Sequence, residues 1–144
     1  MTAAQEIEKL YADFLERFRE QDGKRAPGQG ILGMGVGAGD LPCHGQFLEE
    51  LKALLSDIAG RGASSGEARG ALEVIFRDPS PLQAGANAAY WTLLAAQGLS
   101  LELIGLLSRE DASALYARYK KDYPRSQRLP AQKQVLAALG ERAE

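Results

Sequence analysis

Cysteine, histidine and tryptophan occur once each in this chain of 144 residues. With Cys43 alone, no internal disulfide can form, and nothing marks an oxidising compartment. One cysteine and one histidine also fall short of the roughly four ligands of a structural zinc site, so no metal or cofactor is expected. No run approaches the roughly 20 apolar residues of a membrane span. The opening MTAAQEIEKL has neither the basic nor the apolar region of a secretory signal, and a cytoplasmic location is the expectation. Charge of one sign is not in excess either: 17 basic against 19 acidic residues leave a net −2. The chain as a whole therefore has no electrostatic pull towards nucleic acid or an anionic membrane. Strand alternation is missing as well; ILGMGV (31–36) comes nearest, and its glycines weaken it. No fixed-period repeat occurs, and Trp91 is not followed by the rest of a tetratricopeptide pattern.

What the sequence has in quantity is helical periodicity. Ile7, Leu10, Tyr11, Phe14, Leu15 and Phe18 recur at helical spacing and predict a first helix. A Thr2–Gln5 capping box opens it and Asp22-Gly23 ends it. A second helix is predicted from about Leu41 to Ala59, with Asp40 as N-cap, Pro42 in the first turn and Gly60 as its stop. Its apolar stripe is Phe47, Leu48, Leu51, Leu54, Leu55 and Ile58. A third starts at a Ser64–Glu67 box, buries Leu72, Ile75 and Phe76, and stops before Pro79. A fourth is predicted from about Leu82 to Gln97, closed by Gly98, with Trp91 beside Tyr90 as a core anchor. Ser100 would cap a short fifth helix, LELIGLL. A sixth, opened by Ser108 and Asp111, turns Ala112, Leu115, Tyr116, Tyr119 and Tyr123 inward and ends at Pro124. A seventh has Pro130 in its first turn and Val135, Leu136 and Leu139 inward. The expected fold is thus all-α, one domain over 1–144, a compact bundle of six to seven helices packed at ridge-groove angles.

Between the first two helices, from about 22 to 43, the periodicity stops. This stretch holds seven of the 16 glycines and is read as a long loop. Gly28, Gly30 and Gly33 match G-x-G-x-x-G, but no strand precedes them and no helix follows directly, so the context of a dinucleotide site is missing. Ile31, Leu32, Met34 and Val36 make the loop apolar as well as glycine-rich. They either tuck into the helical core or meet a partner.

Two further features carry chemistry. Cys43 and His44 sit together at a helix start, where the dipole and an imidazolium would favour a thiolate. Against this, side chains at i and i+1 diverge on a helix, and no third residue is evident to orient the imidazole. The plain alternative is a buried cysteine beside a surface or capping histidine. The second feature is a basic segment, Arg118, Lys120, Lys121, Arg125, Arg128 and Lys133, with Tyr116, Tyr119 and Tyr123 interleaved. It suits phosphate contact and base stacking, or else a solvated helix end with tyrosines at the core edge. The pair of helices around Ser108 resembles a helix-turn-helix only loosely: Ser-Arg-Glu-Asp would put acids at the start of the recognition helix. Adjacent carboxylates such as Glu49-Glu50 read as surface groups and caps.

Three functions follow from these residues. The first is a small non-enzymatic binding or adaptor protein that meets another protein through a helical groove or the glycine-rich loop. The second is a nucleic-acid-associated protein using 118–133. The third is a cysteine-dependent enzyme or thiol sensor at Cys43.

Overall fold

The computed structural model describes residues 1–23 and 41–144. Apolar residues three and four apart build α1 (Ala3–Gly23), which buries Ile7, Phe14 and Phe18. Its start is the reciprocal box expected from Thr2 and Gln5: Thr2 N donates to Gln5 Oε1 at 2.9 Å, and Gln5 N to Thr2 Oγ1 at 3.2 Å. In α2 (Pro42–Gly60), Leu41 occupies the N-cap position without a side-chain cap, and Asp40 lies outside the described residues. A group from another helix answers the free amides there: Cys43 N donates to Gln21 Oε1 of α1 at 3.0 Å. The helix α3 (Ser65–Ile75) follows a turn at Gly62, whose φ of 72° suits glycine. Ser64 Oγ accepts from Glu67 N at 3.1 Å.

The predicted fourth helix is a correction. Its first turn is a 3₁₀ turn at Ser80–Gln83, the chain reverses at Gly85 with φ 99°, and α4 begins only at Asn87 and runs to Ala96. Pro79 and Pro81 carry no N–H for an α-ladder, and Gly85 takes a conformation no helix contains. Trp91 is a second correction. It is 48% exposed, while Ala89, Leu93, Leu94 and Ala96 face inward. α4 is apolar on every side, so its periodicity does not select a buried face.

After α4 the chain continues as a 3₁₀ turn, Gln97–Ser100, into the single turn α5 (Leu101–Ile104), shorter than expected. Ser100 caps nothing; its hydroxyl donates back to Gln97 O at 2.7 Å. α6 (Arg109–Asp122) and α7 (Pro130–Ala143) flank a 3₁₀ turn at Arg125–Gln127. Six helices of ten or more residues and the one-turn α5 account for the described chain, and no strand occurs among the described residues. None of these helices is long and apolar enough to cross a membrane.

α1 lies across α2 and α3, α6 packs along α7, and Gln97–Ile104 threads between them against α2, α3 and α7. Two helix starts are tied together on the surface. Ser108 Oγ caps Asp111 N at 3.1 Å, and the Asp111 carboxylate takes Ser65 Oγ at 2.5 Å and Arg69 Nη1 at 3.0 Å.

Threading an irregular segment through the core buries polar groups, and these are answered by a closed network. Tyr119 OH donates to Gln97 Oε1 at 2.6 Å, and Gln132 Nε2 donates to the same oxygen at 3.1 Å and to Leu94 O at 2.9 Å. Gln97 Nε2 donates to Tyr123 OH at 2.9 Å, which donates in turn to Phe76 O at 2.7 Å. Gln132 Oε1 accepts from Leu129 N at 3.2 Å and so pins the start of α7. Each side-chain nitrogen and oxygen of both amides thus has at least one partner, as buried polar groups require.

Burial is the main reason both hydroxyls ionise well above the ordinary tyrosine value, Tyr119 further raised by its neighbour Tyr123. The unfolded chain releases these protons near pH 10 while the native one retains them. Stability is therefore undiminished below about pH 10 and falls above it, by about 1.4 kcal/mol per pH unit for each of the two tyrosines. Urea titrations between pH 9 and 11 are expected to show this decline, and a flat profile would contradict the burial of the hydroxyls.

Candidate functional site

The basic segment is assembled by the corner between α6 and α7. Arg125 comes from the 3₁₀ turn, Arg128 from the strap after it, and Lys133 from the first turns of α7. With Tyr116, Leu136 and Ala137 they line one groove of about 320 Å³. The positions are fixed locally. Gln127 N donates to Pro124 O at 2.8 Å to close the turn, and Arg128 Nε donates to Tyr123 O at 2.9 Å. One helical turn beyond Tyr116, Lys120 carries its ammonium 5.2 Å from the Tyr116 ring centre, within cation–π range. Tyr116 lies edge-close to the backbone of Gly140, where a Cβ would sit 3.1 Å from the ring. Tyr119 and Tyr123 belong to the core, so of the three interleaved tyrosines only Tyr116 reaches the groove.

Several arginines on the described surface are neutralised by carboxylates, whereas Lys9, Arg19 and Lys52 have no such partner and stand outside this corner. Arg17 is held by Glu50 at 3.0 Å, Arg69 by Asp111 and Glu73 at 3.0 Å each, Arg77 by Glu8 at 2.8 Å, and Arg61 by Glu6. Within the basic segment Arg118 meets Asp122 at 3.6 Å. Arg125, Arg128, Lys120, Lys121 and Lys133 have no carboxylate partner among the described residues. Five cations thus keep their charge available around one corner, and Lys120 and Lys121 also complement the negative end of α6.

Cys43 and His44 are separated by the geometry of α2. Cys43 is fully buried, and burial pushes its thiol up, with Arg17 pulling weakly the other way. These surroundings work against a thiolate at neutral pH. Native protein at pH 7 is expected to react with a thiol reagent only as fast as it opens locally, and far more slowly than a free cysteine; labelling at the free-thiol rate would restore the reactive reading.

His44 is buried too, and is no surface or capping group. It stands edge-on to Phe14 and Phe18, with ring centres 5.6 and 5.7 Å away, and its Nδ1 lies 2.6 Å from Thr92 Oγ1. Nδ1 and Thr92 Oγ1 share one hydrogen bond, and the same hydroxyl oxygen lies 3.0 Å from Ala88 O one turn back along α4. Thr92 is thus the orienting residue that sequence inspection misses, because 48 positions separate it from His44. His44 and Thr92 line a cleft of about 820 Å³ between the end of α1, the start of α2 and α4, with Leu48, Ala95 and the exposed Trp91. Ile31, Leu32, Met34 and Val36 lie outside the described residues. Among the described residues, no three His, Cys, Asp or Glu side chains gather as metal ligands.

No protein-family model, no curated protein and no solved structure matches this chain.

Proposed function

We propose that this is a binding protein that holds a polyanion, the phosphate backbone of a nucleic acid, in the basic groove between α6 and α7. The observation that carries the reading is the convergence of Arg125, Arg128 and Lys133, free of carboxylate partners, on one groove beside Lys120. Arg128 is oriented by its bond to Tyr123 O, which leaves the far edge of its guanidinium to fork onto a phosphate. The net charge of −2 supplies no long-range attraction, so affinity rests on the groove alone and is modest. Tyr116 carries Lys120 over its ring, which favours phosphate contact over base stacking.

Fluorescence anisotropy with a labelled oligo-dT strand tests this. If about four phosphates are neutralised, binding weakens about fiftyfold between 50 and 200 mM salt. Changing Lys120, Lys121, Arg125 and Arg128 together to Glu is expected to abolish it. Binding that ignores salt, or survives the four changes, overturns the reading.

A second reading, a protein partner, is favoured by Trp91. A half-exposed indole at the rim of an apolar cleft is the residue type that dominates interface energies. Random peptides displayed on phage and selected on the purified protein would enrich an apolar class whose binding fails with Trp91→Ala. Peptides that bind Trp91→Ala as well as the wild type would dismiss the cleft.

A further inference from the structure

A cavity that shares no residue with the basic groove lies between α1, α3 and the turn at Ser80–Gln83. It has a volume of about 450 Å³ and is walled mainly by Leu15, Val74, Ile75, Pro79, Leu82 and Leu93. Three charged residues also line it: Glu8 from α1, and Arg77 and Asp78 from the chain after α3. Arg77 is already engaged, its Nη2 holding Glu8 at 2.8 Å. A smaller cavity of about 290 Å³ shares Arg77 and Asp78 and adds Glu73 and Asp122. Of the four carboxylates that line the two cavities, Glu8 has Arg77, Glu73 has Arg69 and Asp122 has Arg118. Asp78 alone has no cation among the described residues.

Asp78 is exposed, so a guest reaches its carboxylate from solvent. The turn that follows fixes it: Ser80 N and Ser80 Oγ donate to Oδ1 at 3.0 and 2.6 Å, and Oδ2 takes no hydrogen bond among the described residues. Its charge is felt beyond that turn. Burial is the main cause of the raised Tyr123 hydroxyl, and the Asp78 carboxylate pushes it further up against the pull of Gln97. Glu8 and Arg77 cancel, so the charged lining keeps one net negative charge, on Asp78. The apolar walls call for an alkyl or aromatic body, and pockets of roughly 300–1,000 Å³ are those that take small molecules. We infer that this cavity binds a small organic cation, its alkyl or aryl body on the apolar walls and its primary ammonium beside Asp78. The ammonium donates a charge-assisted hydrogen bond to Oδ2, and water around the exposed carboxylate keeps the gain over a neutral guest modest.

Methyl-resolved NMR titration of the full chain with 2-phenylethylamine tests the inference, with 2-phenylethanol as the neutral guest of the same shape and phenylacetate as the anionic one. The amine is expected to give saturable shifts at Leu15, Val74, Ile75, Leu82 and Leu93, and to bind about fivefold more tightly than the alcohol, with phenylacetate weakest. Intermolecular NOEs should place its ring on those methyls and its methylene next to nitrogen on the Asp78 β-protons. Asp78→Asn removes the charge and keeps an oxygen that can accept from Ser80, so the turn survives. It should bring the amine down to the level of the alcohol and leave the alcohol unchanged. Absent or non-saturable shifts at those methyls overturn the proposal. So does an alcohol or phenylacetate that binds as tightly as the amine, or amine binding that is equal in Asp78→Asn. Shifts centred on Leu115, in the smaller cavity, overturn it as well.

Discussion

Phe14→Ala is expected to lower the unfolding free energy by about 3–5 kcal/mol, the range for emptying a well-packed aromatic site. Phe14 is fully buried and stands at the centre of the α1–α2 contact. Its ring stacks on Phe47 with centres 4.4 Å apart at 22°, and it meets Phe18 at 6.5 Å and His44 at 5.6 Å. Truncation removes the ring from water-excluded surroundings and strips three other rings of a neighbour. Phe47 is itself held edge-on by Tyr11, and all three rings lie in the buried core, so the site has little freedom to collapse. Set against a typical total of roughly 5–15 kcal/mol, the loss leaves the variant marginal. Phe14→Leu keeps most of the volume and should cost far less, about 1–2 kcal/mol. Urea denaturation followed by far-UV circular dichroism measures both. A loss below about 1 kcal/mol for alanine would mean that the aromatic cluster is not packed as described.

Gln97→Leu is expected to cost about 2–4 kcal/mol, although it replaces a polar side chain in the core with an apolar one of similar size. The substitution leaves Tyr119 OH with a buried, undirected proton and takes a donor from Tyr123 OH. Gln132 Nε2 still reaches Leu94 O, and Tyr123 OH still reaches Phe76 O, so the damage centres on Tyr119. Tyr119→Phe in the wild-type background loses one hydrogen bond, about 1 kcal/mol, while Gln97 Oε1 keeps Gln132 as its partner. Added to Gln97→Leu, the same change removes the orphaned hydroxyl and should recover stability. The double-mutant cycle must then be non-additive by about 1 kcal/mol or more. Additive effects would show that the two residues act independently and that the network is not a unit.

Helix starts and the strongest stripes were readable from residue order because they depend on groups three or four positions apart. The bonds at Thr2–Gln5, Ser64–Glu67 and Ser108–Asp111 are local, and so are the inward faces of α1 and α2. The region from Pro79 to Ile104 was misread for the opposite reason. Its residues are helix formers or apolar on all sides, and the outcome turned on two prolines, the φ of Gly85, and which flank of α4 the other helices covered. Glutamine is mostly a surface residue type, so nothing in the residue order marked Gln97 and Gln132 as buried. Their burial is dictated by carbonyls and hydroxyls 22 to 38 residues away. In the basic segment the charges themselves were plain, but their availability was not. Arg118 meets Asp122 one turn on within α6, but that Arg125 and Lys133 meet no acid depends on the corner between α6 and α7.

The sequence by itself determined that the described chain is helical, where most helices begin, and that cations gather near its end. Each of these is a property of neighbours along one turn. The tertiary structure alone decided that Trp91 faces outward, that His44 leans on Thr92, that Cys43 is sealed away, and that the Tyr11 hydroxyl is buried without a hydrogen-bond partner. A side chain's surroundings are set by elements distant in sequence, and burial, not residue type, fixes what its chemistry can do.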